Sequence, residues 1–180
     1  MTPIEFHKQY LADVLSDTEI ARHPELVNRL CEFILFERET LLAYGIDEAA
    51  VGFLVDGGLP ADAAPFLSFE RYSRQKLEEL YDLYDLPRSL FPLGYNGSGD
   101  PLGIETSSRA VVYMNHDAQM QRVFVNSSVA QFAESLLLYQ RLLKARKVEE
   151  LLEHLRIIDP AAAVEGTMWH VEANSNPYWD

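Results

Sequence analysis

Leu102-Gly103-Ile104-Glu105, Ala110-Val111-Val112-Tyr113-Met114 and Gln121-Arg122-Val123-Phe124-Val125 are the three runs whose reading decides the fold. Each is short, and each is bounded by Gly, Asn, Asp or Ser, the residues that turn a chain. They read as strands of an antiparallel meander. In Val111 to Met114 and Val123 to Val125 the apolar residues are continuous, which predicts strands covered on both faces. Such runs also occur in buried helices; turn signals and β-branched content decide for strand.

Working outward toward the C-terminus, Ser128 with Gln131 forms a capping box worth about 1 kcal/mol, and it opens the longest helix. Val129, Phe132, Ala133, Leu136, Tyr139 and Leu143 hold one apolar stripe. The next stripe, Val148, Leu151, Leu152 and Leu155, is displaced by roughly 140° at about 100° per residue, so a break is expected near Lys144 to Lys147. Beyond Asp159-Pro160, the residues Met168, Trp169, Tyr178 and Trp179 are too apolar for a free arm. They predict a tail that packs back on the domain.

Toward the N-terminus, Thr2, Pro3 and Glu5 form a helix start, with hydroxyl cap, proline at the first helical position and a returning carboxylate. Phe6, Tyr10 and Val14 then share a face. A second helix is expected from His23-Pro24, with Leu26, Leu30, Phe33 and Ile34 at helical spacing, although Cys31 to Phe36 could also pair as a strand. Asp47 to Val55 reads as a short helix stopped by Asp56-Gly57-Gly58, where glycine can take a positive φ. Leu59-Pro60 restarts the chain in extended form. Phe66 to Phe69 reads as a short strand, and Gln75 to Tyr84 as helix or irregular linker.

The chain has 180 residues, which fits one domain able to bury a core without disulfide or metal. Fifteen Lys and Arg stand against twenty-eight Asp and Glu, a net charge of −13. Such a balance repels phosphate backbones and anionic lipid, so nucleic acid and membranes are expected not to be partners. Residues 1–60 hold eleven acids and four bases, so the acidic excess is concentrated there. No basic segment followed by an apolar run opens the chain, and no run approaches the roughly 20 apolar residues of a membrane span. A cytoplasmic location is expected. Cys31 is the only cysteine, and Phe33 and Ile34 beside it predict a buried thiol.

Each candidate for chemistry has a plainer reading. His116-Asp117 follows a strand and reads as a polar hairpin turn rather than a metal pair. His154 lacks a second ligand one helical turn on, because Ile157 and Ile158 fill those positions. His170 and Glu172 are spaced for one face of a strand, and two ligands do not make a metal site. Gly97-Ser98-Gly99-Asp100-Pro101-Leu102-Gly103 has neither dinucleotide spacing nor a Walker lysine. It reads as a tight loop in which Asn96-Gly97 supplies positive φ and Asp100 accepts backbone amides in an Asx turn. Arg141, Lys144, Arg146 and Lys147 precede Glu149, Glu150 and Glu153 and read as a salt-bridged helix surface. No catalytic, cofactor or metal residue is assigned, and an enzyme would have only Asp100, His116 and Asp117 to work with.

Three pieces in order carry a resemblance: Gly58-Leu59-Pro60, then Phe91 to Leu102 with Gly94, Gly97, Gly99 and Asp100, then Val112 to His116 leading to Phe124-Val125-Asn126-Ser127-Ser128 and on to Phe132. The succession, over about residues 50–143, resembles the SUKH superfamily, whose bacterial members are mostly immunity proteins of polymorphic toxin systems. The extended tail with Trp169 is similar to the fourth subfamily. The resemblance implies a single α+β domain over 1–180, with a central, mainly antiparallel sheet packed by several helices. Residues 1–45 would be its helical N-terminal part and 156–180 a packed extension. It implies fold-maintaining roles for Gly58, Leu59, Pro60, Gly94, Gly97, Gly99, Asp100, Ser128 and Phe132, and no catalysis. The expected partner is a protein, a basic toxin domain such as a nuclease or nucleic-acid deaminase. The alternative is a regulatory protein-interaction scaffold like the fungal members.

Overall fold

A meander needs each strand to find the next one along the chain, and the computed structural model, which describes residues 1–14 and 31–175, has that order. Six strands pair antiparallel in sequence order: β3 (Asp62–Ala63), β4 (Leu67–Phe69), β5 (Leu90–Tyr95), β6 (Pro101–Glu105), β7 (Val111–Asn115) and β8 (Gln121–Asn126). A separate two-residue pair joins β1 (Phe33–Ile34) to β2 (Leu59–Pro60). The helices are α1 (Pro3–Val14), α2 (Arg38–Ala43), α3 (Glu48–Asp56), α4 (Arg74–Tyr84), α5 (Val129–Ala145), α6 (Leu151–Ile158) and α7 (Met168–Asn174). The protein is α+β, as its sequence predicts.

Strand β5, like the two-residue β3, is not announced by the pattern of apolar residues, because Pro92 and Gly94 interrupt it. Proline cannot donate to a ladder. The register against β6 shifts between Pro92 and Gly94, and that irregularity accommodates the proline inside a sheet. Five of the six β5 residues are buried, Tyr95 alone being exposed. Coverage on both faces, expected for the last two strands, holds only in part. Val111 and Val112 are buried, but Tyr113 and Met114 are half-buried, and β8 is exposed at Gln121 and Arg122 and half-buried at Val123 and Phe124. The sheet leaves its helical cover toward the β7–β8 turn.

The longest helix, α5, is started by Ser128, whose Oγ accepts the Gln131 amide at 3.3 Å. Gln131 does not return to the cap amide; its Nε2 donates to the Ile158 carbonyl at 3.0 Å and so ties α5 to α6. Phe132 is fully buried, edge-on to Phe69 of β4 at 5.8 Å between ring centres. The helix ends where its stripe shifts, with Arg146 left-handed at φ 57°. Helix α1 lies along α5. Its own capping box is closed, Thr2 N donating to Glu5 Oε2 at 2.8 Å and Glu5 N to Thr2 Oγ1 at 3.2 Å. Phe6 and Tyr10 face inward, where both rings meet Phe33. Arg141 reaches Asp13 at 2.5 Å, so it pairs with α1 and not with the glutamates that follow it.

Cys31 is half-buried, not enclosed as its neighbours imply, because Phe33 and Ile34 form the short strand β1 instead of continuing a helix. The helix expected from His23-Pro24, with Leu26 and Leu30, lies outside the described residues, as do Tyr178 and Trp179.

The tail does return. Trp169 is fully buried and its Nε1 donates to Asn126 Oδ1 at 2.8 Å. Asn126 Nδ2 donates to Ser135 Oγ at 3.0 Å and to Asp159 Oδ2 at 3.1 Å. Asp159, 1% exposed, also accepts from Ser127 N at 2.6 Å and from Ser127 Oγ at 2.9 Å. Asn126→Ala strips the indole N–H of its acceptor and takes a donor from a buried carboxylate. The expected cost is about 2–3 kcal/mol, read as a lower urea midpoint at unchanged slope.

Candidate functional site

Asn96 and Asp100 close the β5–β6 turn. Asn96 Oδ1 accepts the amides of Ser98 and Asp100, each at 3.0 Å, so the Asx turn belongs to Asn96 and not to Asp100. The left-handed residue is Gly99, at φ 82°, not Gly97. Asp100 turns instead toward the neighbouring connection. One of its oxygens accepts the His116 amide at 2.9 Å and meets His116 Nδ1 at 2.5 Å, and the other accepts Asn96 Nδ2 at 2.9 Å. His116 and Asp117 lie in a single helical turn between β7 and β8, capped by Asn115, as a polar hairpin connection requires.

Burial works against the charge on Asp100, which is 3% exposed, but the His116 amide, Asn96 and the His116 ring outweigh it and hold the carboxyl below its ordinary range. The same Asp100 hydrogen bond, and then the charge of Asp117, raise the His116 imidazole above its ordinary value of 6.5. The pair therefore locks two loops together. Asp100 finds its hydrogen-bond partners inside the protein, Asp117 stands 3.3 Å from the other ring nitrogen of His116, and among the described residues no cluster of three or more His, Cys, Asp or Glu could hold a metal. His154 stands 3.9 Å from Glu150 on the surface of α6. His170 and Glu172 are on a helix, α7, not a strand, so their spacing separates them around its axis.

The remaining sequence-predicted positions are spread along the fold. Gly58 follows α3 at φ 70°, and Leu59 and Pro60 form β2 against β1. Gly94 is where β4 passes closest, since a Cβ there would lie 1.9 Å from the Ser68 carbonyl oxygen. Ser128 and Phe132 belong to the start of α5. The sequence reading misses the buried network of Asn126, Ser135 and Asp159; the contiguous polar run Asn126-Ser127-Ser128 beside an apolar strand is its only local trace. It also misses the groove that Phe66 and Glu172 share with the 96–98 turn.

These features define an α+β protein whose polar clusters join loops and helices to one antiparallel sheet. A family model described as SUKH-4 immunity protein matches residues 30–175, and the chain belongs to that family. No curated protein and no solved structure matches the chain. Membership gives it a toxin-neutralising immunity role, with a protein toxin as partner. Among the described residues no helix is long and apolar enough to cross a membrane.

Two tests separate the roles of these residues. Gly94→Ala forces backbone apart between β4 and β5 and is expected to cost about 1–3 kcal/mol or more. Gly99→Ala, with open space around it, is expected to cost only the left-handed backbone penalty of about 1–2 kcal/mol; denaturant titration of both variants orders them. The Asp100–His116 pairing contributes stability fully below pH 6.5 and loses it as pH rises through the raised His116 value. Asp100 contributes above 3.8 and loses it as pH falls through its lowered value. NMR titration is expected to place the His116 midpoint above 6.5 and to move it down in Asp100→Asn.

Proposed function

We propose that the protein neutralises one cognate toxin by binding it, without catalysis, and that the toxin is a basic domain acting on nucleic acid, a nuclease or a nucleic-acid deaminase. The observation that carries this reading is the excess of twenty-eight acids over fifteen bases in a chain of an immunity family. A toxin that grips nucleic acid presents a basic groove, and an acidic protein can occupy it in place of the phosphates. Long-range attraction also speeds the encounter, which matters for a protein that must reach its toxin before the toxin reaches its target. The polar clusters fit a binding protein, because their hydrogen bonds are used up within the fold. On this reading the protein works in the cytoplasm, where such a toxin's substrate is, and belongs to a polymorphic toxin system.

Co-expression with the toxic domain encoded beside it is expected to restore growth and to yield an isolable complex; neither rescue nor complex overturns the immunity reading. With that complex in hand, association is expected to slow by about tenfold or more between low salt and ~0.3 M salt. A salt-insensitive rate excludes acidic mimicry while leaving neutralisation in place.

A further inference from the structure

Phe66 is a costly residue with no return inside the fold. It is held at φ 53°, in the left-handed region where a bulky side chain is strained, and it is 75% exposed. Burial does not repay the strain, and strain maintained at a surface aromatic points to a use outside the chain. A second position is adapted to it. A Cβ on Gly97 would come within 2.8 Å of Phe66 Cβ, so the glycine lets the 96–98 turn close against this residue.

Phe66 forms one wall of a groove of about 280 Å³ whose other sides are Asn96, Gly97, Tyr113, Val171 and Glu172. Glu172 is the one acidic residue of its lining. Burial pushes that carboxyl above its ordinary range, partly offset by a hydrogen bond from the Tyr139 hydroxyl. Tyr113 is close enough for its own ionisation to be opposed, after burial, by the charges of Asp100 and Glu172. Among the described residues that line the groove none is basic. The site thus offers aromatic rings, backbone and one partly desolvated anion, and lacks a cation.

We propose that this groove is a docking site for an arginine side chain presented by a protein partner. The volume lies at the small end of the range of ligand sites and has room for one long side chain. A guanidinium stacks on aromatic faces and donates in a plane to a carboxylate, and it loses less hydration than an ammonium on entering. The net charge of −13 steers such a partner toward the surface as a whole. Strained Phe66 then holds a ring ready, so little order is lost when the side chain arrives. The assignment rests on the immunity reading for the identity of its partner, a toxin, and on geometry alone for the chemistry it recognises.

The full-length protein is titrated with N-acetyl-arginine methylamide, with the citrulline analogue as an uncharged control of the same shape, while NMR signals of Phe66, Tyr113 and Val171 are followed. Saturable shifts confined to these residues are expected for arginine and none for citrulline. Glu172→Gln is expected to weaken binding about tenfold or more. Val171→Lys, at an exposed position that leaves the half-buried Glu172 untouched, is expected to abolish it by supplying a competing cation. Diffuse shifts, or equal shifts in both variants, overturn the site. In the co-expression assay, undiminished rescue by both variants overturns toxin docking here while immunity stands. Failure of the unsubstituted chain to rescue overturns the immunity reading, and the arginine titration alone then decides the groove.

Discussion

Asn126 ends the last strand of the sheet, and from that one buried amide the bonds run outward to Ser135 on α5, to Asp159 after α6 and to Trp169 on α7. Apolar contacts are roughly proportional to area and indifferent to direction. They would let α6 and α7 slide over the sheet with little penalty. Hydrogen bonds in a dry interior do not, because each misplaced donor or acceptor stays desolvated and unpaired. The position of the C-terminal helices is therefore set by an asparagine, an aspartate and an indole, and the surrounding leucines fill the volume those groups define. Ser127, Ser128 and Gln131 extend the same junction into the start of α5.

The opposite end of the sheet is organised by a second polar device of different character. Asp100 and His116 join two turns at a partly exposed site, so they fix loop positions rather than helix positions. Those turns border the groove lined by exposed Phe66 and half-buried Tyr113 and Glu172. A rigid frame beneath a surface that carries few internal obligations suits a protein whose contacts must match one partner and whose fold must tolerate change in the matching residues.

Local signals in the sequence made much of this legible. The strands β6, β7 and β8, the capping box at Thr2 and Glu5, the Ser128 cap, the break at Arg146 and the return of Trp169 all follow from turn residues, helical spacing or apolar content within a few positions. What was hidden depends on distant partners. Strand β5 was obscured because its Pro92 and Gly94 contradict strand propensity, and only the register shift against β6 reconciles them. The roles within the Asn96–Asp100 loop were exchanged because either side chain can cap such a turn, and the decision lies with the His116 amide sixteen residues away. The fate of Glu172 depended on whether its segment was strand or helix, and seven residues of mixed polarity do not settle that locally.

The order of the strands has a consequence for how the chain acquires this shape. Because every strand of the six-stranded sheet pairs with the next one in sequence, most of its connections are short loops with a small entropic cost, helix α4 alone being interposed between β4 and β5. Helix α1 is different: it docks on α5, more than a hundred residues later, with Met1 bonded to Glu134 and Asp13 to Arg141. Residues nearer in sequence cover the apolar face of α1 in part, Phe6 meeting Phe33 and Phe53 and Tyr10 meeting Phe33, and α5 completes the cover. Until α5 arrives part of that face stays open, and the acidic excess of the first sixty positions favours its solvation.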